Sequence, residues 1–167
     1  GVDDIYFGSS KFTSSQIYLG GDSAFAKAYI EPLKKQSKTE DKTAIIQDGE
    51  IIVGTAGADF SATNTALGDY ILKLDDSLSK QPLNLLGNTS VIATNDYDSD
   101  GDMDLFIGHQ VITGDFGTAP ESVLLKNNNG KYTVDKNNNL GNIGMVTDAV
   151  WTDLNNDKQK DLIVIGE

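Results

Sequence analysis

The stretch "DYDSDGDMDLFIG", from Asp96 to Gly108, joins an acidic half to an apolar half. Aspartate occupies every second position from Asp96 to Asp104, and a short apolar run that ends at Gly108 follows it. A run of aliphatic and aromatic residues bounded by glycine is typical of a β-strand. The crowded carboxylates repel one another unless a cation lies among them. The stretch therefore predicts a cation-binding loop that leads directly into a strand.

The apolar half of this stretch recurs along the chain. An acidic residue, a short apolar run and glycine follow one another at four places about 50 residues apart, which are Asp4–Gly8, Glu50–Gly54, Asp104–Gly108 and Asp161–Gly166. Another apolar run precedes each of the last three places. A further one follows each of the first three, and the last of these ends in the hairpin signal Asn129-Gly130. About four short strands in about 50 residues are typical of a propeller blade.

The sequence therefore predicts an all-β fold. We expect a β-propeller fragment of about three four-stranded blades, with calcium loops between the first and second strands. The whole chain, residues 1–167, is predicted to be a single fragment with approximate repeats at 1–41 (a partial blade), 42–88, 89–144 and 145–167 (a partial blade). Closed propellers have at least about four blades, so we expect the chain to belong to a larger protein. Open sheet edges predict that two copies can associate edge to edge.

The acidic half of the opening stretch predicts a calcium site. Calcium is bound by oxygen atoms in a flexible shell, and a tightly coiled loop turns alternate side chains inward. Counted from Asp96 as position 1, Gly101 stands at position 6 and permits a sharp turn. Asp102, at position 7, offers its backbone carbonyl, so its side chain is expected to point away. The predicted ligands are Asp96, Asp98, Asp100, Asp102 and Asp104.

The same spacing returns at "DLNNDKQKDL", which begins at Asp153. Lys158 stands where the first loop has glycine, and one predicted ligand is a neutral amide. The turn then costs about 1 kcal/mol more, and this second calcium site is expected to be weaker than the first. Its predicted ligands are Asp153, Asn155, Asp157, Gln159 (through its carbonyl) and Asp161.

Three other interpretations of these loops compete with a calcium site. An EF-hand needs a bidentate acid at position 12, but Ile107 and Val164 stand there, so that motif is excluded. Magnesium seldom uses a cage made only of protein ligands. A solvated acidic turn without any ion is the remaining alternative. Two loops at the same place in a repeat weigh against it.

The second repeat has the bare turn Asp48-Gly49 instead of a loop, and neither Glu50 nor Asp4 is expected to bind a cation.

Composition excludes several other classes of function. The net charge is −12, which argues against nucleic acid as a partner and against an anionic membrane surface. No cysteine is present, so thiolate metal sites and disulfides are impossible. The apolar runs are too short to insert into a membrane as a helix. The single histidine, His109, excludes imidazole-rich metal sites, and it is expected to be a surface or hydrogen-bonded residue rather than a catalytic base.

The two stretches "DYDSDGDMDLFIG" and "DLNNDKQKDLIVIG" resemble the FG-GAP/VCBS repeat, a propeller blade with a calcium loop between its first two strands. The order of segments from residue 90 to residue 157 is similar to that of bacterial proteins with repeats of the ASPIC/UnbV type. This resemblance implies a secreted, periplasmic or outer cell-surface location. The bare Asp48-Gly49 turn and Lys158 depart from the family pattern.

No catalytic constellation is visible, so the sequence predicts a protein that is not an enzyme. The favoured function is a calcium-binding extracellular or cell-surface interaction module in which calcium is structural. Its partner would be a protein or a glycan. A carbohydrate-binding, lectin-like propeller and the scaffold part of a polysaccharide-processing enzyme remain alternatives by fold analogy. Trp151 is expected to pack in the core rather than stack on a sugar.

Overall fold

The computed structural model describes residues 5–7, 16–19, 26–28, 39–57, 60–73 and 79–167. These residues form an all-β fold, as predicted. The strands are β1 (Ile5–Phe7), β2 (Gln16–Leu19), β3 (Ala26–Ala28), β4 (Glu40–Gln47), β5 (Glu50–Ala56), β6 (Gly68–Lys73), β7 (Lys80–Leu86), β8 (Asn88–Asn95), β9 (Asp104–Val111), β10 (Val123–Asn128), β11 (Lys131–Val134), β12 (Val146–Thr152) and β13 (Asp161–Gly166). Single turns of 3₁₀-helix occur at Thr65–Leu67 and Leu140–Asn142.

Consecutive strands pair antiparallel and form separate sheets. The described sheets are β1–β3, β4–β7, β8–β11 and β12–β13, each a meander in chain order. The described residues thus form two sheets of four strands, one of three and one of two. Within the described residues, no closed barrel or propeller ring is detected. Asp4, for which no cation site is expected, lies outside those residues.

Two tight turns confirm the hairpins that the sequence predicts. Asp48 and Gly49 have φ of 51° and 77°, and they join β4 to β5. Asn129 and Gly130 have φ of 52° and 83°, and they join β10 to β11. Positive φ at both central residues is the geometry of a type I′ turn, whose twist matches that of the flanking strands.

The β8–β11 sheet is buried on both faces because its strands alternate between two apolar clusters. Leu105 and Ile107 pack with β5 and β6 on one face. Phe106 packs on the other face with Val146 of β12, and Trp151 lies against this second cluster, as predicted. The period of two places neighbouring residues on opposite faces. Three sheets are therefore stacked in chain order, with β8 contacting β4, β5 and β12.

Gly54 and Gly108, which end the apolar runs of β5 and β9, lie at close contacts between neighbouring sheets. A Cβ atom on Gly54 would lie under 3.0 Å from side-chain atoms of Thr89 in β8. One on Gly108 would lie equally close to Val146 in β12. Thr89 and Val146 each stand seven residues before the first aspartate of an acidic loop. The two contacts are therefore equivalent, and glycine allows each sheet to pack tightly on the next.

Among the described residues, no helix has the length and the apolar character needed to cross a membrane.

Candidate metal centre

The first acidic loop lies between β8 and β9, where the sequence places it. Carboxylate oxygens of Asp96, Asp98 and Asp104 all lie within 4.8 Å of one another. Asp104 is the first residue of β9 and is only 1% exposed. Its Oδ1 accepts a hydrogen bond from the backbone N–H of Asn127 at 2.8 Å, and its Oδ2 accepts one from Tyr97 at 3.1 Å. One carboxylate of the group is therefore fixed by the sheet.

The backbone of the loop coils around its first aspartate. The two carboxylate oxygens of Asp96 accept hydrogen bonds from the N–H groups of Asp100 and Gly101, both at 3.0 Å. Oδ1 of Asp100 in turn accepts one from the N–H of Asp102 at 3.0 Å. Asparagine and aspartate form such side-chain turns readily because their short side chains reach the backbone a few residues on. These bonds coil the loop around the carboxylate of Asp96.

The second acidic loop, between β12 and β13, has the same hydrogen bonds. Asp153 accepts from the N–H groups of Asp157 at 3.1 Å and Lys158 at 2.9 Å. Oδ2 of Asp161, the first residue of β13, accepts from the N–H of Leu154 at 2.9 Å. Each bond has its counterpart in the first loop at the same position. Two different sequences thus build one loop conformation, which the repeat in the sequence predicts.

The backbone angles of the two loops agree as well. In the first loop Ser99 and Gly101 have φ of 60° and 96°. In the second, Asn156 and Lys158 have φ of 63° and 72°. Lys158 therefore adopts the left-handed conformation that glycine adopts in the first loop, and a Cβ atom is disfavoured there. The strain that the sequence predicts at this position is present.

The second loop differs in its charged groups. Asn155 replaces the aspartate of the first loop, and its Nδ2 donates to Oδ2 of Asp157 at 2.9 Å. Hydrogen bonds from the Gln159 N–H and from Asn155 lower the pKa of Asp157. Within the described part of the chain, the acids of this loop do not form a close group like that of the first loop. That this second loop binds a cation more weakly stays a prediction.

Asp100 and Asp102 have other contacts than the three grouped acids. Oδ2 of Asp100 lies 3.4 Å from Nζ of Lys126, and its carboxylate is not one of the three that lie within 4.8 Å of one another. The side chain of Asp102 reaches Asn129, whose N–H donates to Oδ2 at 2.7 Å. Its carboxylate is therefore directed toward the β10–β11 turn, in line with the expectation that only its carbonyl faces the ion. The carbonyl ligands Asp102 and Gln159 remain predictions.

Residues of β10 hold the first loop, and the sequence interpretation missed them. The ammonium of Lys126 pairs with Asp98, which raises the pKa of Lys126. Asn127 donates from Nδ2 to the carbonyl of Met103 at 3.1 Å and accepts from the N–H of Gly130 at 2.8 Å. Only the pairing of β10 with β9 brings these residues to the loop. The polar run "KNNNG" was a signal, but it indicated only a hairpin turn.

The charges around Asp104 favour a bound cation. Burial raises the pKa of Asp104, the hydrogen bonds from Asn127 and Tyr97 lower it, and the charges of Asp98 and Asp100 raise it further. A buried carboxylate beside other carboxylates needs a positive partner. Lys126 supplies one such charge at the side of the group, and a divalent cation would supply more. The donor atoms are oxygens, which suit a hard cation such as calcium.

Comparison of the chain with family models, with curated proteins and with solved structures finds no match. The function of the loops therefore has to be argued from their own geometry.

Proposed function

We propose that the chain is a calcium-binding interaction module of the FG-GAP/VCBS kind, in which calcium has a structural role. One observation carries the proposal: two acidic loops with the same hydrogen bonds stand at the same place in successive sheets. In the first loop, oxygens of Asp96, Asp98 and Asp104 lie within 4.8 Å of one another. A chance acidic turn would not require the second loop to repeat the conformation with a lysine in a left-handed position.

The geometry favours calcium over magnesium. Calcium accepts six to eight oxygen ligands in a flexible shell, whereas magnesium demands near-octahedral geometry and keeps several waters. The loop offers many carboxylates on a coil with positive φ at Ser99 and Gly101, so several oxygens can adjust to a larger ion. Calcium held there would join β8, β9 and the β10–β11 turn, which already meet at Asp104 and Asp102.

A structural rather than a catalytic role follows from the chemistry of the loop. Carboxylates bound to a cation stay ionised and serve poorly as general acids. The single histidine, His109, lies near the other end of β9 and is held by the carbonyl of Glu121, so it is not paired with the loop. We propose that the protein binds a protein or glycan partner through its surface. A secreted, periplasmic or outer cell-surface location suits weak calcium sites, because extracellular modules bind calcium with dissociation constants of about 10⁻⁴–10⁻³ M.

The stacked sheets support a propeller arrangement for this module. Gly54 in the β4–β7 sheet packs against Thr89 of β8, and Gly108 in the β8–β11 sheet packs against Val146 of β12. Each of these sheets thus contacts the first strand of the next sheet. Equivalent contacts between successive units are what a ring of blades requires. A longer chain with further repeats would place the calcium loops on one rim.

The proposal is tested by calorimetric titration with calcium of the wild-type protein and of Asp98→Asn. Asp98 belongs to the acidic group but its side chain holds no backbone N–H among the hydrogen bonds of the loop, so the fold should survive the change. We expect saturable calcium binding with two sites, and Asp98→Asn should weaken the tighter one at least about tenfold, since it replaces a charged ligand by a neutral one.

The matched control is Asp115→Asn, which removes the same charge from an exposed residue outside both loops. Its calcium affinity should stay within about a factor of two of the wild type, because this exposed carboxylate belongs to neither loop and interactions between exposed charges are weakened by salt. Equal losses in Asp98→Asn and Asp115→Asn, or saturation by magnesium as tight as by calcium, would count against the proposed site.

A further inference from the structure

Lys126 of β10 forms ion pairs with two acids of the first loop. Its ammonium pairs with Oδ2 of Asp98 and lies 3.4 Å from Oδ2 of Asp100. Asp98 is also one of the three acids whose carboxylate oxygens lie within 4.8 Å of one another. The ammonium therefore holds a carboxylate that the proposed calcium ion would need as a ligand.

A lysine at the equivalent place in the preceding sheet shows the role of this residue where no loop is present. Lys73 follows "YIL" in β6, as Lys126 follows "VLL" in β10. Lys73 stands opposite Glu50 in the strand register, and its Nζ lies 3.2 Å from Oε1 of that residue. There the lysine neutralises the acid that begins the second strand of the sheet. In the next sheet the equivalent lysine pairs with acids of the loop instead.

The ammonium of Lys126 has room to leave the loop. Its side chain is 42% exposed, and it borders an open groove of about 600 Å³. Asp135, an acid of that groove, already accepts hydrogen bonds from the hydroxyl of Tyr97 at 2.9 Å and from the N–H of Asn137 at 2.8 Å. Ion pairs between partly exposed side chains are weak. Lys126 can therefore exchange its acidic partners for solvent without a change in the strand.

Calcium and this ammonium exclude each other at Asp98. Calcium lies 2.3–2.6 Å from each of its oxygen ligands. An ammonium on the same carboxylate would then stand a few ångströms from the ion, and the two positive charges repel strongly at that distance. The doubly charged ion attracts the carboxylates more than the singly charged ammonium does. Calcium should therefore replace the lysine once its concentration is high enough.

We propose that Lys126 is an internal cation that competes with calcium for Asp98 and Asp100. It lowers the calcium affinity of the first loop, and it is released toward the groove when the ion binds. This inference rests on the calcium function proposed above and adds a residue outside the loop that sets its affinity. Without calcium, the lysine neutralises part of the crowded acidic charge and so supports the coil.

Zero-length cross-linking with a carbodiimide tests the exchange directly. The reagent joins an amine to a carboxylate in contact with it as an amide, and it takes up the water that is lost. In EDTA we expect an amide between Lys126 and Asp98 or Asp100, identified by mass spectrometry of the linked peptides. It should fall at least about tenfold with calcium at 100 times its dissociation constant, where about 1% of the sites stay empty. The control is the pair Lys73–Glu50, which should cross-link equally in both conditions.

The variant Lys126→Met tests the effect on affinity, because it removes the ammonium and keeps an unbranched side chain. Calorimetric titration should show calcium binding to the first loop roughly fivefold more tightly, as the loss of a competing exposed ion pair implies. Lys131→Met is the control, since Lys131 lies in the same hairpin and forms no ion pair among the described residues. Its affinity should stay within about a factor of two of the wild type, because exposed charges are screened by salt.

Two outcomes would overturn this proposal and leave the calcium function standing. In one, calcium binds the wild type but the cross-link of Lys126 is unchanged. In the other, Lys126→Met binds calcium no more tightly than Lys131→Met. Absence of saturable calcium binding by the wild type would overturn both proposals. Melting curves in EDTA report whether each variant is folded, and if Lys126→Met is not, the cross-link in the wild-type protein decides alone.

Discussion

At the scale of single residues, one acid with a strongly shifted pKa lies in the core, outside both loops. Asp69 in β6 is fully buried and accepts hydrogen bonds from the N–H of Thr55 at 2.8 Å and from the hydroxyl of Thr89 at 2.7 Å. It therefore joins two strands of one sheet to β8 of the next. Burial outweighs these bonds and raises the pKa of Asp69 from 3.8 to about 7.

This pKa predicts a pH-dependent stability. Because the folded state binds the proton more tightly, Asp69 contributes stability that is fully present below about pH 3.8 and is lost as the pH rises through about 7. The variant Asp69→Asn keeps the shape and stays neutral. We expect it to be more stable than the wild type at pH 8, by a few kcal/mol at most, and this advantage should shrink toward pH 5.

Thermal unfolding of both proteins at pH 5 and pH 8, with calcium saturating, measures the difference. Asp148→Asn is the control, because Asp148 is exposed in β12 and should give no pH-dependent advantage. A difference between Asp69→Asn and the wild type that is the same at both pH values would show that Asp69 does not titrate in this range.

At the scale of elements, the two acidic loops show how much local sequence determines. The spacing of the aspartates predicted a coil between two strands. Both loops form this coil, with Gly101 at position 6 of the first loop and Lys158 at the same position of the second. The contacts of Lys126 and Asn127 with the first loop were not predicted, because they depend on the register between β9 and β10. That register is set by the pairing of apolar residues such as Leu124 with Phe106. Of these two residues, Leu124 is far from the loop in sequence.

The strain at Lys158 gives a prediction at this scale. Lys158→Gly should stabilise the protein by about 1 kcal/mol, since glycine adopts positive φ without the clash of a Cβ atom. It should also tighten the weaker calcium site. Lys160 has the same side chain in the same loop but is not among the residues with positive φ, so Lys160→Gly should be neutral or destabilising by up to about 1 kcal/mol.

Chemical denaturation of Lys158→Gly and Lys160→Gly measures both changes in the free energy of unfolding. A loss of stability in Lys158→Gly similar to that in Lys160→Gly would show that the backbone at position 158 is not strained in solution.

At the scale of the whole molecule, the stacking of sheets depends on Gly54 and Gly108, which lie where neighbouring sheets are in close contact. The sequence predicted an all-β fold, because apolar runs that end in glycine are local signals of strands. It could not predict which residues meet between sheets, since the contact of Gly108 with Val146 follows from the packing of two separate hairpins. His109 illustrates the same limit. The sequence left open whether it lies at the surface or is hydrogen-bonded, and packing by Gly87 and bonding to Glu121 bury it.

Gly108→Ala tests this stacking. The added methyl group would lie under 3.0 Å from Val146 and Val91, so the variant should lose about 1–3 kcal/mol of stability through overpacking. The control Gly141→Ala adds the same group where the nearest atom is 3.9 Å away, and it should be almost neutral. Urea denaturation of the two variants provides the comparison, and equal stabilities would contradict the described contact between β9 and β12.

The central claim is that calcium binds the two acidic loops and stabilises the fold. Thermal unfolding in saturating calcium and in EDTA tests it most directly. We expect a higher melting temperature with calcium, because each site that is saturated at about 100 times its dissociation constant adds about 2.7 kcal/mol. Magnesium at the same concentration should give a much smaller shift. Identical melting curves in calcium and in EDTA would contradict the claim.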